Sequence, residues 1–427
     1  MADVVNPKHD LDEAKVRVEG LRNPVATTKP TLPTEITRLT DCDDEDILIP
    51  ISTSFIPSTY HIYSNHPCNK TISPIPDPTK DRRSGPRISE MKACRKDQKA
   101  RKASGLPPVE PDPNAFFLHT PYLAFHMPPQ ILYAGTSKHG TTPTVLIHHS
   151  CFWHKYKLQL GPFLSAPDVL DPRGVVSWQH NGGNKKLRKA DEHALQGYKV
   201  RTWRLWGETG KAYVKSVKKI RQTGDGVDPD VVDKDTKPAH ADEVVYLSWT
   251  SPFSKHTRRY HFQYRGVDFY WKGTGTVKES RACGWFLRFN HLKLVARVPC
   301  VGDGGEDEKS KGEDEWVEIC LGKFTSSVAK EKSGTLDLFD PALLRLVEEN
   351  MPSVLEQFAP GDHEKGRTGL QLSKEEKLLR LKRSTLYQVI VATATCMIAS
   401  EKEKRHTIID LLLAAAEQGG GGGGGGG

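Results

Sequence analysis

Seventeen residues near the C-terminal end, Ser384–Ser400 (S-T-L-Y-Q-V-I-V-A-T-A-T-C-M-I-A-S), constrain the fold more than any other stretch. Leu386, Tyr387, Val389, Ile390, Val391, Ala392, Ala394, Cys396, Met397, Ile398 and Ala399 leave a helix here no polar face. A helix that is apolar all round is enclosed by protein or lipid. The run from Leu386 to Ala399 is shorter than the roughly 20 residues that span a bilayer, so a core helix is expected and no transmembrane span. Ser384 is its N-cap by residue type.

What would enclose such a helix is written upstream as short strands separated by turn signals. The candidates are Phe116–His126, Ile131–Ala134, Thr144–His149, Phe152–Leu160, Val175–His180, Tyr198–Trp206, Ala212–Lys218, Val244–Trp249, Arg259–Tyr264, Val267–Trp271, Trp285–Phe289, Leu292–Val298, Trp316–Phe324 and Thr335–Phe339. Tyr260, Phe262 and Tyr264 share one face, with His261 and Gln263 opposite. Arg265-Gly266 reads as a two-residue turn into the next strand. About a dozen strands before any long helix predict a mainly β fold, a closed antiparallel barrel around the late helix. Asp340-Pro341 starts a helix running to Asn350, with Asp340 as N-cap, and Lys374–Lys382 is a short amphipathic one. A charged stretch, Glu401–Arg405, then separates the central helix from helical composition at Thr407–Gln418.

Residues 1–114 read as a disordered tail, 115–418 as the barrel with its late helices, and 419–427 as a poly-Gly tail. The N-terminal segment holds an acidic cluster at Asp41–Asp46, a possible strand at Ile47–Ile56 and a basic run from Lys80 to Lys102. Gln222–Asp242 and Gly302–Glu315, acidic and Gly-bearing, are expected as surface loops. No apolar leader opens the sequence, and the eight cysteines form no C-x-x-C pair, as expected for reduced thiols in an intracellular protein, cytoplasmic, peripheral to a membrane or nuclear. The net charge is +8, yet residues 1–115 hold 17 Lys/Arg and 17 Asp/Glu, so the surplus lies in the folded part. That surplus favours an anionic partner.

Three segments carry a family resemblance: Tyr264-Arg-Gly-Val-Asp-Phe-Tyr-Trp-Lys-Gly-Thr-Gly-Thr276, Trp285-Phe-Leu-Arg-Phe289, and the apolar run ending Ile398-Ala-Ser-Glu-Lys-Glu-Lys-Arg405. With a β-rich body closed by an apolar helix, the chain resembles the tubby C-terminal-like superfamily over residues 116–418, and its texture is similar to that of fungal members. That group includes tubby domains, LURP-one-related proteins and phospholipid scramblases. The resemblance implies a 12-stranded closed barrel with a hydrophobic helix threaded through it. Tubby domains bind phosphoinositides through a basic pocket and scramblases act on lipid, so it also implies a lipid ligand. No motif transfers the tubby lipid-binding residues onto numbered positions.

The strongest basic patch, Lys185–Arg221, contains 12 Lys/Arg against 3 acids. Tyr198–Trp206 and Lys211–Lys219 read as a hairpin closed by Gly207-Glu-Thr-Gly210. Pairing Trp206 with Lys211 gathers Arg204, Lys211, Lys215 and Lys219 on one side, interleaved with Trp206 and Tyr213. Cations beside aromatics suit a membrane-interface or phosphate site, although a solvated sheet face is built the same way. Gly207–Ala212 resembles the end of a P-loop but has Leu205 for the first Gly, Ala212 for the Ser/Thr, and flanks that read as strand–strand. His148, His149, Cys151 and His154 split between two strand faces, so no closed metal site is expected. Cys283, beside Gly284, has no assignable base, and Cys396 reads as an inert buried thiol. The expectation is a non-enzymatic binding module for phosphoinositide or other anionic lipid headgroups, with no cofactor. The alternatives are a structural protein whose tail and acidic loops meet a protein partner, and nucleic-acid binding through the basic segments.

Overall fold

A computed structural model describes residues 57–65, 69–107, 109–149, 155–181, 191–203, 207–232, 238–249, 259–273, 291–299, 316–356 and 373–419, with side chains to Glu403. All described residues belong to one compact unit within Asp44–Gly427.

Twelve strands form a closed barrel in which each strand pairs antiparallel with its sequence neighbours and the first pairs with the last. They are β1 Ser58–Asn65, β2 Asn69–Ser73, β3 Phe116–His119, β4 Gln130–Ala134, β5 Thr142–His149, β6 Lys155–Leu160, β7 Glu243–Trp249, β8 Arg259–Tyr264, β9 Val267–Gly273, β10 His291–Pro299, β11 Trp316–Ser326 and β12 Lys332–Leu338. Among the described residues the helices are α1 Ile88–Ala103, α2 Lys211–Thr223, α3 Asp340–Asn350, α4 Ser353–Glu356, α5 Lys374–Arg383 and α6 Thr385–Gly419.

Period-two alternation sends Tyr260, Phe262 and Tyr264 of β8, and Val267, Phe269 and Trp271 of β9, into the lumen. Arg265 and Gly266 both have positive φ (48° and 85°), as a tight hairpin turn requires. Arg265 is held there by Glu243 at 2.6 Å and the Ser353 hydroxyl at 3.0 Å.

Helix α6 fills the lumen. Leu386 to Ile398 is buried but for half-exposed Gln388 and packs into one core with the inward rows of the strands. Its buried polar side chains, among the described residues, bond to the wall or to the helix itself. Tyr387 Oη donates to Asp340 at 3.3 Å, Trp271 Nε1 donates to Thr393 Oγ1 at 3.2 Å, Tyr156 and Ser400 hydroxyls meet at 2.6 Å, and Tyr260 Oη donates to Glu401 at 2.6 Å. A buried polar group left unpaired costs more than a bond gains, so these pairings also fix helix register. Ser384 caps α6 as expected, accepting from Tyr387 N at 3.2 Å. Helix α5 carries a reciprocal capping box between Ser373 and Glu376.

Several expectations need correction. Ser58–Asn65 and Asn69–Ser73 are not tail: they are β1 and β2, which close the barrel between β12 and β3. Their signal is faint because β1 contributes only Tyr60 and Ile62 to the central core and β2 only Ile72; neighbouring strands supply the rest. The basic run expected to be disordered includes helix α1. Ile47–Ile56, Trp285–Phe289 and Gly302–Glu315 lie outside the described residues. Asp340 is not the N-cap of α3, a position Phe339 takes. It is the first helical residue, and its carboxylate accepts from Ser58 Oγ at 2.6 Å and pairs with Lys382 at 3.2 Å. The charged stretch Glu401–Arg405 does not interrupt α6, which runs on to Gly419.

Residues 161–242 connect β6 to its neighbour β7, although two residues can join antiparallel neighbours. The insertion packs Leu164, Val169, Val176, Leu195 and Ala241 onto outward-facing Ile131, Tyr133 and Leu146. The strand expected at Val175–His180 is a bridge at Val176 followed by a 3-10 turn, Trp178–His180.

Candidate anion-binding surface

The expected hairpin is absent. Lys211–Thr223 is helix, and Tyr198 makes only a single parallel bridge to Ser177. The local reason is a 3.6-residue stripe, Tyr213, Val214, Val217 and Ile220, framed by two left-handed glycines, Gly210 (φ 74°) and Gly224 (φ 72°). Val214 and Val217 are buried against Val200, with Tyr213 alongside. Tyr213 therefore points away from the lysines it was expected to join; burial pushes its phenol up to about 12. Arg204 and Trp206 lie outside the described residues. Lys211, Lys215 and Lys219 remain together, and Lys218 joins them: at 100° per residue all four fall within about 100° of arc, and all are exposed.

The helix is firmly mounted. Arg173 is buried, forms a 2.6 Å ion pair with Asp171, and donates to the carbonyls of Tyr198 (2.6 Å) and Lys199 (3.0 Å). A Cβ on Gly210 would lie 2.7 Å from Arg173 Cγ and 3.0 Å from its Cα, so this junction needs glycine. At the other end Arg221 binds Asp228 (2.7 Å), Asp230 (2.6 Å) and the Val200 carbonyl (2.7 Å). Asp230 in turn accepts from Val200 N. The acidic segment after α2 is thus partly a clamp for the helix.

Beside the start of α2 lies the connection between β3 and β4, expected as strand to His126 but extended only to His119. Tyr122 N donates to Thr209 Oγ1 at 2.6 Å, Thr209 N to Tyr122 O at 3.0 Å, and Ala124 N to the buried Glu208 carboxylate at 3.2 Å. Leu123 is buried with Val175 and Tyr198, and His126 meets the Tyr198 ring edge-on at 6.0 Å. Between these anchors a turn closes by His126 N to Leu123 O, with Phe125 at φ 63°. A bulky residue in that region costs about 1–3 kcal/mol. Phe125 is 87% exposed and Met127 74%. Nothing in the sequence marks this turn, because Gly, not Phe, is the residue that signals it.

Other sequence candidates do not assemble. His148 is bonded to Gln159 at 2.8 Å and burial pushes it down to about 4; Cys151 and His154 lie outside the described residues, among which no metal-binding group occurs. The helix after Gly210 shows that the strand–strand flank assigned to Gly207–Ala212 was wrong, but the missing Gly and Ser/Thr still rule out a P-loop. Cys283 lies outside the described residues, and Cys396 is buried, its thiol pushed up to about 12 by desolvation. Ser248, His261 and Asp268 lie on neighbouring strands, and His261 Nε2 meets Asp268 at 2.8 Å. The Ser248 hydroxyl donates to the His261 backbone carbonyl and not to its ring, so no activated nucleophile results. No helix among the described residues is long and apolar enough to cross a membrane. Comparison with protein-family models, curated proteins and solved structures finds no match to this chain.

Proposed function

We propose that this chain is a non-enzymatic binding module that recognises phosphoinositide or other anionic lipid headgroups, placing it at a membrane surface as a peripheral protein. The observation that carries the reading is the lysine arc of α2: Lys211, Lys215, Lys218 and Lys219 exposed together on a helix whose opposite face is locked by Val214 and Val217. Charges on a fixed helix present a defined pattern, and each Lys near an anionic leaflet contributes about 1 kcal/mol at physiological salt. The resemblance to tubby-like barrels supports the same ligand class. Nucleic acid is the second reading, favoured by α1, where Lys92, Arg95, Lys96, Lys99 and Lys102 share one stripe and no residue of the helix is buried.

The test is flotation of the full chain with neutral and anionic vesicles across a salt series, beside a K211Q/K215Q/K218Q/K219Q variant. Wild type is expected to float with anionic vesicles only and to release as salt rises. The variant loses roughly 4 kcal/mol of attraction, about a thousandfold in partitioning. Equal partitioning of wild type and variant sinks the reading. Salt-sensitive retention on duplex DNA or RNA without vesicle binding moves the assignment to nucleic acid.

A further inference from the structure

We infer that the β3–β4 turn is an apolar wedge that enters a lipid bilayer beside the lysines of α2. The inference rests on the anionic-lipid reading and deepens it: the ligand is a membrane surface, not a soluble phosphate. Tyr122, Phe125 and Met127 are 52%, 87% and 74% exposed within six residues. Trp203, 70% exposed, lies three residues after Val200, which packs on α2, and four before Gly207, whose missing Cβ faces the Tyr122 ring at 3.2 Å.

Exposed apolar side chains are common, so exposure alone proves little. Here the exposure is built. The turn is pinned on both flanks by Leu123 and His126, and stitched along its length to Glu208 and Thr209. Its most exposed residue is a Phe held at φ 63°, where Gly is the unstrained choice. A rigid, strained mount for an apolar tip, hydrogen-bonded to the segment that opens the lysine helix, matches what a bilayer interface offers: anionic headgroups for the cations and acyl chain just beneath for the rings. The exposed lysines on the helix opened by the segment that holds this turn select this occupant over an apolar protein groove.

The experiment uses the full chain with anionic vesicles containing lipids brominated at defined acyl depths. Wild type, F125S/M127S, Phe125→Leu, Phe125→Gly and the four-lysine variant are compared at low and high salt. Wild-type tryptophan fluorescence, to which Trp203 contributes, is expected to be quenched most by shallow bromines. F125S/M127S is expected to partition about tenfold more weakly, from lost burial of two apolar side chains, with its salt dependence intact. Phe125→Leu restores most of the binding. Phe125→Gly also loses binding but raises Tm by relieving the left-handed strain, which separates a membrane role from a folding one. Wild-type binding with unchanged affinity in F125S/M127S and no depth-dependent quenching overturns the wedge while leaving the lysine reading standing. No vesicle binding by wild type overturns both.

Discussion

Helices α1 and α2 are alike in composition and opposite in attachment. Each is short and rich in Lys and Arg, and each carries most of its cations on one stripe. In α2 an apolar stripe runs opposite the lysines and is buried; in α1 nothing is buried, and the helix is fastened at its start by Arg87 N donating to the Glu90 carboxylate at 2.8 Å and by an Arg82–Glu90 pair at 2.8 Å. A helix without a packed face draws stability from caps and side-chain pairs alone. The difference teaches that charge content does not make a positioned surface. What positions the α2 lysines is Val214, Val217 and two arginine clamps, Arg173 with Asp171 and Arg221 with Asp228 and Asp230.

Four outcomes would break or sharpen this contrast. The largest is Arg173→Ala, which strands a buried Asp171 and frees two carbonyls. It is expected to cost about 3–5 kcal/mol in urea unfolding and to weaken vesicle binding, although Arg173 faces no solvent. The second is pH. Burial pushes His119, which abuts Gly174 and the Arg173 carbonyl, from 6.5 down to about 4. The neutral ring is favoured in the fold, so its contribution is complete above pH 6.5. It is lost as pH falls from 6.5 towards 4, because only the unfolded chain takes up the proton. That amounts to on the order of 3 kcal/mol, read as falling stability over that window and abolished in His119→Asn. Third, Val217→Ala removes part of the α2 anchor and is expected to cost about 2 kcal/mol, with amide exchange rising in 211–223. The smallest is Glu90→Ala, which removes both fastenings of α1. Exchange should rise in 88–103 with no change in Tm; a falling Tm would mean that α1 is packed after all.

The central helix was legible because an apolar surface on every side has one physical outcome. Strands β3 to β12 were legible by alternation, whereas β1 and β2, with three core residues between them, were not. The lysine row is instructive. Lys211, Lys215 and Lys219 are spaced by four, which keeps side chains together in a strand of period two and nearly so in a helix of period 3.6. They survived the wrong assignment. Tyr213, spaced by two, did not: it shares a face with Lys211 on a strand and opposes it on a helix. The Phe125 turn was invisible because its backbone contradicts the preference of its residue.

Helix α6 begins at Thr385, after every strand of the wall it fills. During synthesis the inward rows of twelve strands therefore emerge before the segment that covers them. Their apolar faces wait, and the pairing of β1 with β12, Ser58 with Leu338, is itself among the last to become available. Such late, non-local closure slows folding and prolongs exposure of sticky surface. A ribosome stalled before Thr385 would carry a lined shell with nothing inside it, a natural client for chaperones. Truncation near the C-terminus should be far more damaging to yield than loss of α1.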